Sequence, residues 1–590
     1  MITAINPANG GELARFEAHD DAYVDAALSA AADAQKAWRK VPVEERVGLL
    51  RGMARVLRAG KARYAEMITL EMGKPIVESE AEIEKCAYNC DFYAEHAPQY
   101  LADEPVASNA SESVVAFDPL GVVLAIMPWN YPFWQFFRFA APAFAAGNGA
   151  ILKHANNVPQ CALAIEEIMK EAGCPEGLFA TLLIEPAKVA AIIADDRIAA
   201  VTLTGSTEVG AIVASQAGKA LKKQVLELGG SDPFIVLADA DLEEAAAGAV
   251  KARYINVGQS CVNAKRFIVE EAVADHFVEL FCAGVAKLKI GDPMKRDTNI
   301  GPMARANLMG GLHAQVEKTV AAGATLRMGG RPIDGEGFYY SPTVLDHVTP
   351  EMTAFREETF GPVAAIIRVK DAGEAIRLAN QTEFGLGSAI WSRDVDRART
   401  LAREIEAGAV FINGMVASDP RYPFGGIKRS GYGRELGVYG IREFVNIKTV
   451  WIGPPKAQAA ILRPKELKTN DRGGGARTTP LVTRGCGSTS MINGITAFDP
   501  GAAIGLHKHN CEESVMVIEG KAIAEIDGVQ HHLDTNDTTW IPANVPHRFI
   551  NATDKPMRIF WTYASIDATR TMIATGETRT IDAEHSPANP

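Results

Sequence analysis

Between residue 113 and about residue 270, short apolar β-branched runs alternate with stretches of helical period, and this alternation constrains the fold more than any other feature of the chain. Residues 150–153 (a mostly buried run), 199–204, 224–227, 234–237 and 266–269 read as strands, and residues 161–172, 208–216 and 242–254 read as helices. Strands that recur with helices between them are joined by crossovers, so they lie parallel with helices on the faces of the sheet. An α/β fold is therefore expected, with further strands at 363–367 and 443–451. Ahead of it, residues 21–101 are helical in pattern, and residues 1–20, with Asn-Pro and Asn-Gly punctuation, form a short arm or strand. Residues 113–126 read as two strands parted by Asp118-Pro119-Leu120-Gly121.

After Pro454 the texture changes. A Gly-rich stretch at 473–475 reads as a linker or irregular arm, and beyond Pro480 short strands with Glu519-Gly520 and Asp527-Gly528 turns predict an all-β domain. The 590 residues suit roughly three or four domains. A net charge of −12 leaves no basic surplus for nucleic acid. The N-terminus lacks the basic start and apolar core of a signal peptide, and no apolar run approaches a membrane span. Eight scattered cysteines form no disulfide framework and fit a reducing cytoplasm.

The reactive stretch is Gly258-Gln259-Ser260-Cys261, together with Glu227 in Leu226-Glu227-Leu228-Gly229-Gly230. A thiolate can form a covalent intermediate, and a nearby carboxylate can serve as base. Attack on an aldehyde gives an oxyanion that needs fixed donors. Asn130, just after a strand, offers one, and the Cys261 backbone N–H a second. Collapse of that oxyanion expels a hydride, which no side chain can accept, so a nicotinamide cofactor is required. Thr204-Gly205-Ser206 follows a strand and opens a helix, a place suited to a pyrophosphate.

Pro128-Trp129-Asn130, Leu152-Lys153-His154-Ala155, Thr204-Gly205-Ser206, Leu226-Glu227-Leu228-Gly229-Gly230, Gly258-Gln259-Ser260-Cys261, Glu357-Glu358-Thr359-Phe360-Gly361-Pro362 and Pro423-Phe424-Gly425-Gly426 follow one another in order. To about residue 452 the chain resembles the aldehyde dehydrogenase superfamily, and within it the bacterial NAD(P)-dependent succinate-semialdehyde dehydrogenases. The resemblance implies a Rossmann-like cofactor domain over 1–229, with an oligomerisation hairpin at about 108–126. It also implies an α/β catalytic domain over 230–440 and an oligomerisation strand at 441–452, hence a homodimer or homotetramer. It makes Cys261 the nucleophile, Glu227 the base that activates water against the thioester, and Asn130 the oxyanion donor. NAD or NADP would be held by Lys153, Gly205, Ser206 and Glu358, with Trp129, Leu228 and Phe360 lining the site.

Two departures bear on specificity. His154 replaces a frequent proline. Asn156 stands where NAD-selective members carry a glutamate, which removes the repulsion against a 2′-phosphate and predicts that NADP is accepted. Arg138, eight residues after Asn130, and Ser418 match residues that bind the distal carboxylate of succinate semialdehyde. A second arginine of some relatives is Ile255 here, so glutarate semialdehyde or an apolar aldehyde stay open as substrates.

His507 and His509 alternate on one strand face, with Glu513 after a turn and His547 in Pro542-Ala543-Asn544-Val545-Pro546-His547. These two motifs make residues 480–576 resemble the cupin family, with Asn544 where a glycine is usual. Two histidines, a glutamate and a third histidine suit a divalent transition metal: Mn, Fe, Ni, Cu or Zn. His531 and His532 fall on a surface. Residues 453–479 would be a linker and 577–590 a mobile tail. The function of the cupin part does not follow, so a bifunctional enzyme and a catalytically silent sensing protein remain alternatives.

Overall fold

The computed structural model describes residues 1–108, 110–453 and 459–581. The chain forms two compact units, Met1–Asp103 with Ala116–Lys448, and Glu104–Val115 with Thr449–Pro590.

The first unit opens with the antiparallel pair Ile2–Ile5 and Glu12–Phe16, followed by four helices from Asp21 to Tyr100. Its first large sheet has the order Gly431–Tyr432, Lys223–Glu227, Ile198–Thr204, Val122–Met127, Gly149–His154, Phe179–Thr181. Every pairing is parallel except that of Gly431–Tyr432 with Lys223–Glu227. The chain builds outward from Val122–Met127 through two strands, then restarts on its other side at Ile198–Thr204. That reversal puts a crevice at the carboxyl ends of the two central strands, where open α/β sheets bind ligands. Helices Asp21–Trp38 and Thr207–Lys219 bury Leu28 and Val213 in the core that includes Leu124, Ile151 and Val201.

The second large sheet has the order Thr325–Met328, Thr343–Asp346, Val363–Val369, Ala264–Glu270, Asp232–Val236, Gly387–Trp391, Ala409–Ile412, parallel except for its first strand. All seven residues of Ala264–Glu270 are buried, as two-sided burial of a central parallel strand requires.

The expected hairpin at about 108–126 is not formed. Glu112–Pro119 joins a small sheet with Glu104–Pro105 and Val445–Ile452, whereas Val122–Met127 lies at the centre of the first large sheet. The composition explains this. Val122–Met127 is apolar throughout and almost wholly buried, which suits the middle of a parallel sheet rather than a hairpin with one wet face. Asp118-Pro119-Leu120-Gly121 is the passage from one sheet to the other.

The second unit contains two six-stranded antiparallel sheets. One runs Asn470–Asp471, Ala476–Pro480, Ile492–Phe498, Met557–Tyr563, Glu513–Glu519, Thr538–Ile541; the other runs Val529–Leu533, Ala522–Ile526, His547–Ile550, His507–His509, Thr569–Met572, Thr578–Thr580. Alternating inward residues, among them Val515, Val517, Ala524, Phe549, Ile559 and Trp561, make its core. Two boundaries differ from expectation. Strands Asn470–Asp471 and Ala476–Pro480 fall within the expected linker, because the Gly473–Gly475 stretch is the turn of a hairpin, with all three glycines at positive φ. Strand Thr578–Thr580 and the fully buried Ile581 fall within the expected tail. Residues 454–458 of that linker and 582–590 of that tail lie outside the described residues.

Candidate functional site

Cys261 follows a backbone that few sequences adopt. Asn256 and Val257 sit at φ 53° and 57° and Gly258 at 71°, three successive residues in the left-handed region. For a β-branched valine this is strained, so surrounding contacts must impose it. Asn256 N–H donates to Glu78 Oε2 at 2.7 Å, and Asn256 Nδ2 donates to the carbonyls of Asn130 and Gln259 at 2.9 and 3.0 Å. The buried Arg253 guanidinium donates to the carbonyls of Gly258, Thr359, Gly361 and Ala264. Gly258 has no room for a side chain: a Cβ there would lie 2.3 Å from the Gly361 carbonyl oxygen. The nucleophile loop is thus clamped to the Asn130 loop and to the Glu358–Phe360 segment.

Asn130 comes three residues after strand Val122–Met127, and Glu227 ends strand Lys223–Glu227, so both stand at carboxyl ends of the first sheet. Asn130 Nδ2 donates to the Gln259 carbonyl at 3.1 Å, which fixes the amide and leaves its second N–H. Glu227 is buried, and neither carboxylate oxygen accepts a hydrogen bond from the described residues. Burial raises its carboxyl well above the usual range, with Glu435 pushing it further up and Arg138 and Arg434 pulling it down. Burial also pushes the Cys261 thiol up to about 12, against the pull of Arg138 and Lys265. Lys265 Nζ donates to the Ser260 and Cys261 carbonyls at 3.1 and 2.8 Å.

Two cavities meet at Cys261. One, of about 240 Å³, is lined by Asn130, the expected oxyanion donor, and by Trp129, Gly205, Ser206, Leu228, Glu358 and Phe360, all expected at a cofactor site. Ser206 caps helix Thr207–Lys219, accepting from Val209 N–H, so the helix N-terminus points at this space. Glu358 Oε1 accepts from Gly230 N–H at 3.0 Å and pairs with Lys265 at 3.2 Å. Trp129 and Phe360 meet edge to face with ring centres 5.8 Å apart. Lys153 is the penultimate residue of strand Gly149–His154, beyond the lining of that cavity; its Nζ donates to the His154 carbonyl and to Asn156 Oδ1, both at 2.9 Å. Burial lowers its pKa to about 8. Asn156 Nδ2 in turn donates to Glu185 at 3.3 Å, a carboxylate that sequence reasoning missed. His154, the departure from proline, is a buried structural histidine: its Nδ1 accepts from Ala155 N–H, so its Nε2–H donates to the Pro132 carbonyl.

The second cavity, of about 200 Å³, reaches Cys261 from the other side. Two helical stripes build it: Glu78, Ala81, Glu82 and Lys85 of helix Ile76–Tyr100, and Tyr131, Trp134, Gln135 and Arg138 on and just before helix Trp134–Ala145. Each repeats at i, i+3, i+4, i+7, one face of a helix. Arg138 lines the cavity but is almost fully buried. It forms an ion pair with Glu435, donates to Thr204 Oγ1 at 3.2 Å, and lies over the Phe424 ring at 4.8 Å. Ser418 also lines the cavity and accepts from Lys85 Nζ at 2.7 Å. Glu435 and Lys85 were not singled out from the sequence; the stripe that carries Lys85 was the available signal.

In the second unit His507, His509 and His547 bring one ring nitrogen each within 4.8 Å of one another. Their Nδ1 atoms face the carbonyls of Gly505, Thr569 and Val545 at 2.7 to 2.8 Å. A carbonyl only accepts, so each Nδ1 carries the proton and each Nε2 presents a lone pair. Glu513 Oε2 lies 2.7 Å from His547 Nε2 and 3.8 Å from His509 Nε2. Burial lowers the His509 pKa to about 4 and holds His507 lower still, so these two imidazoles are neutral, the form that ligates metal. Three imidazoles and a carboxylate in one buried cluster fit a divalent transition metal. Asn544 takes φ 67°, the left-handed turn a glycine would supply, and Asn tolerates it. His531 and His532 are exposed.

Residues 494–563 match the cupin domain model, in agreement with the double-sheet architecture. The first unit has relatives along nearly their full length. A probable NADP-dependent succinate-semialdehyde dehydrogenase of Synechocystis is 54% identical over 451 residues, 76% of this chain and 99% of the relative. The Escherichia coli NAD(P)-dependent succinate semialdehyde dehydrogenase Sad is 52% identical over 448 residues, 76% of this chain and 97% of its own. A crystal structure of succinic semialdehyde dehydrogenase from Streptococcus pyogenes with NADP+ superposes with a TM-score of 0.75 at 38% identity, covering 77% of this chain and all of that one. Residues 1–450 match the model of the aldehyde dehydrogenase family, and the chain belongs to that family.

Proposed function

We propose that the protein oxidises succinate semialdehyde to succinate with NADP or NAD, through a covalent thioester on Cys261, and that its cupin domain holds a divalent transition metal. The observation that carries the first part is Cys261 at the meeting point of the two cavities, one with the expected cofactor residues and one with cationic side chains. The Cys261 thiolate attacks the aldehyde carbon. The second N–H of Asn130 and the Cys261 backbone N–H receive the oxyanion. The nicotinamide, when bound, supplies the hydride acceptor that the side chains lack. Glu227, whose oxygens accept no hydrogen bond from the described residues, then takes a proton from the water that attacks the thioester; the C–S bond breaks, succinate is released and the Cys261 thiolate is regenerated.

The names of the relatives support the carboxylated aldehyde and NADP; the neutral Asn156 beside the Lys153 ammonium supports NADP as well. Eight unpaired cysteines are consistent with a reducing compartment, and no helix among the described residues is long and apolar enough to cross a membrane. Strand Val445–Ile452 exposes Ile447, Val450, Trp451 and Ile452, apolar surface that supports a homodimer or homotetramer.

The test is an aldehyde panel with both cofactors. Succinate semialdehyde should give the highest kcat/KM, and Cys261→Ala should remove aldehyde-dependent NAD(P)H formation. Asn156→Glu should lower the NADP-to-NAD efficiency ratio about tenfold, the effect of a like charge beside the 2′-phosphate. Preference for an uncharged aldehyde in the panel would reject the substrate assignment.

A further inference from the structure

Arg138 lines the second cavity with its charge already partly committed. Its guanidinium already pairs with Glu435, bonds Thr204 Oγ1 and covers Phe424. The same cavity contains a second cation whose charge is not spent. Lys85 lies on the cavity-facing stripe of helix Ile76–Tyr100, seven residues after Glu78. Its Nζ donates to Ser418 Oγ at 2.7 Å and sits 4.2 Å from the centre of the Trp134 ring. Both carboxylates close enough to affect it have other partners. Glu82 pairs with Lys74 and accepts from the Phe133 and Trp134 N–H groups, and Asp419 pairs with Arg421. Among the described residues Lys85 forms no ion pair.

Building on the substrate reading above, we propose that Lys85, bonded to the expected substrate residue Ser418, is the further cation by which the carboxylate subsite selects an anionic aldehyde. An ammonium has three N–H donors, of which Ser418 takes one, and the Ser418 hydroxyl keeps its own proton to donate. Together they make a two-donor fork on the cavity that Cys261 also lines. The fork takes a short-chain aldehyde with a terminal carboxylate. Charge-assisted bonds to a carboxylate are the strong ones, and a partly desolvated cation without a counter-ion gains most from them. Arg138, on the same cavity, adds the part of its charge that Glu435 leaves unspent.

The charged groups around Lys85 set its response to pH. Burial and the neighbouring Arg138 lower its pKa to about 8, with Cys86, Glu82 and Asp419 acting in the opposite direction. The ammonium is present below that value and lost above it, so binding of an anionic aldehyde weakens as pH rises through about 8. A neutral aldehyde is indifferent to this titration.

The experiment compares succinate semialdehyde with its methyl ester in the full-length enzyme and the Lys85→Met and Lys85→Arg variants, between pH 6.5 and about 9.5. In Lys85→Met the KM for succinate semialdehyde should rise about tenfold or more, while that for the ester moves less than about threefold. In the native enzyme the KM for succinate semialdehyde should climb above pH 8, and Lys85→Arg should keep it low there, since a guanidinium stays charged. The ester rate reports that each variant is folded. If Lys85→Met changes both substrates alike, or leaves the acid preferred as before, the subsite is not at Lys85, although the substrate reading stands. If the native enzyme itself does not prefer the acid to its ester, both fall together.

Discussion

The two units each bury a polar cluster and leave different things undone. In the first unit the proposed base is left without a partner. Neither oxygen of Glu227 accepts a hydrogen bond from the described residues, and the backbone before Cys261 is held in a strained conformation by Asn130, Arg253 and Glu78. In the second unit the cluster is closed on its outer side. Each histidine spends its Nδ1 proton on a backbone carbonyl, and only the inward nitrogens remain. The first arrangement waits for a carbonyl and a water, and so specifies a reaction. The second waits for an ion, and so specifies a ligand field but no reaction.

The most forceful way to sharpen that contrast is to remove the base and keep the nucleophile. Glu227→Gln should lower steady-state turnover by about 10² to 10⁴ while leaving a first burst of NAD(P)H near one equivalent per active site, because acylation precedes the step that needs the base. The pH profile gives the sign. The active form is the carboxylate, and burial raises its pKa well above the usual range, so the rate should rise with pH along an acid limb displaced upward from ordinary carboxylates. In Glu227→Gln that limb should vanish. Loss of the burst together with turnover would place Glu227 before the thioester and overturn its role.

A cut in the other unit should leave this chemistry alone. His547→Ala deletes one converging nitrogen and should weaken divalent-metal binding by about 100-fold, read as metal retained after dialysis. Aldehyde oxidation should stay within about twofold of the native rate, since no group of the thioester chemistry comes from the cupin domain. A parallel fall in turnover would mean that the two regions work as one.

What the sequence disclosed divides along the same line. The candidate catalytic and cofactor residues sit in short contiguous motifs at the carboxyl ends of strands, so one stretch of chain places each of them: Asn130 after Met127, Ser206 after Thr204, Glu227 at its strand end. Lys85 and Glu435 were not legible in that way. Each acts through a residue far along the chain, Lys85 through Ser418 and Glu435 through Arg138, and a local pattern has no record of such a pairing. The 108–126 hairpin was misplaced because alternation in sequence shows that two strands exist, not which sheet each one joins. The cupin edges were missed because Asn470–Asp471 and Thr578–Thr580 are two and three residues long, too short to show a period.

The smallest expected effect concerns Asn544, where the second metal-binding motif departs from its usual glycine. Its φ of 67° is costly for most residues but mild for asparagine, and its backbone N–H donates to the His509 carbonyl at 2.7 Å, a bond that any residue can make. Its side chain is exposed. Asn544→Gly should therefore retain the metal and shift the metal-responsive unfolding transition of the full chain by less than about 1 kcal/mol, since relief of strain and the added freedom of the unfolded chain offset each other. Asn544→Val, with a branched side chain in the same turn, should cost about 1 to 3 kcal/mol and weaken metal binding with it. The two variants separate what this position contributes through its backbone from what it contributes through its side chain. Loss of metal in Asn544→Gly would show that the asparagine amide, and not the turn alone, supports the histidine cluster, so that the cupin domain, like the dehydrogenase unit, would depend on a side chain that its own motif does not predict.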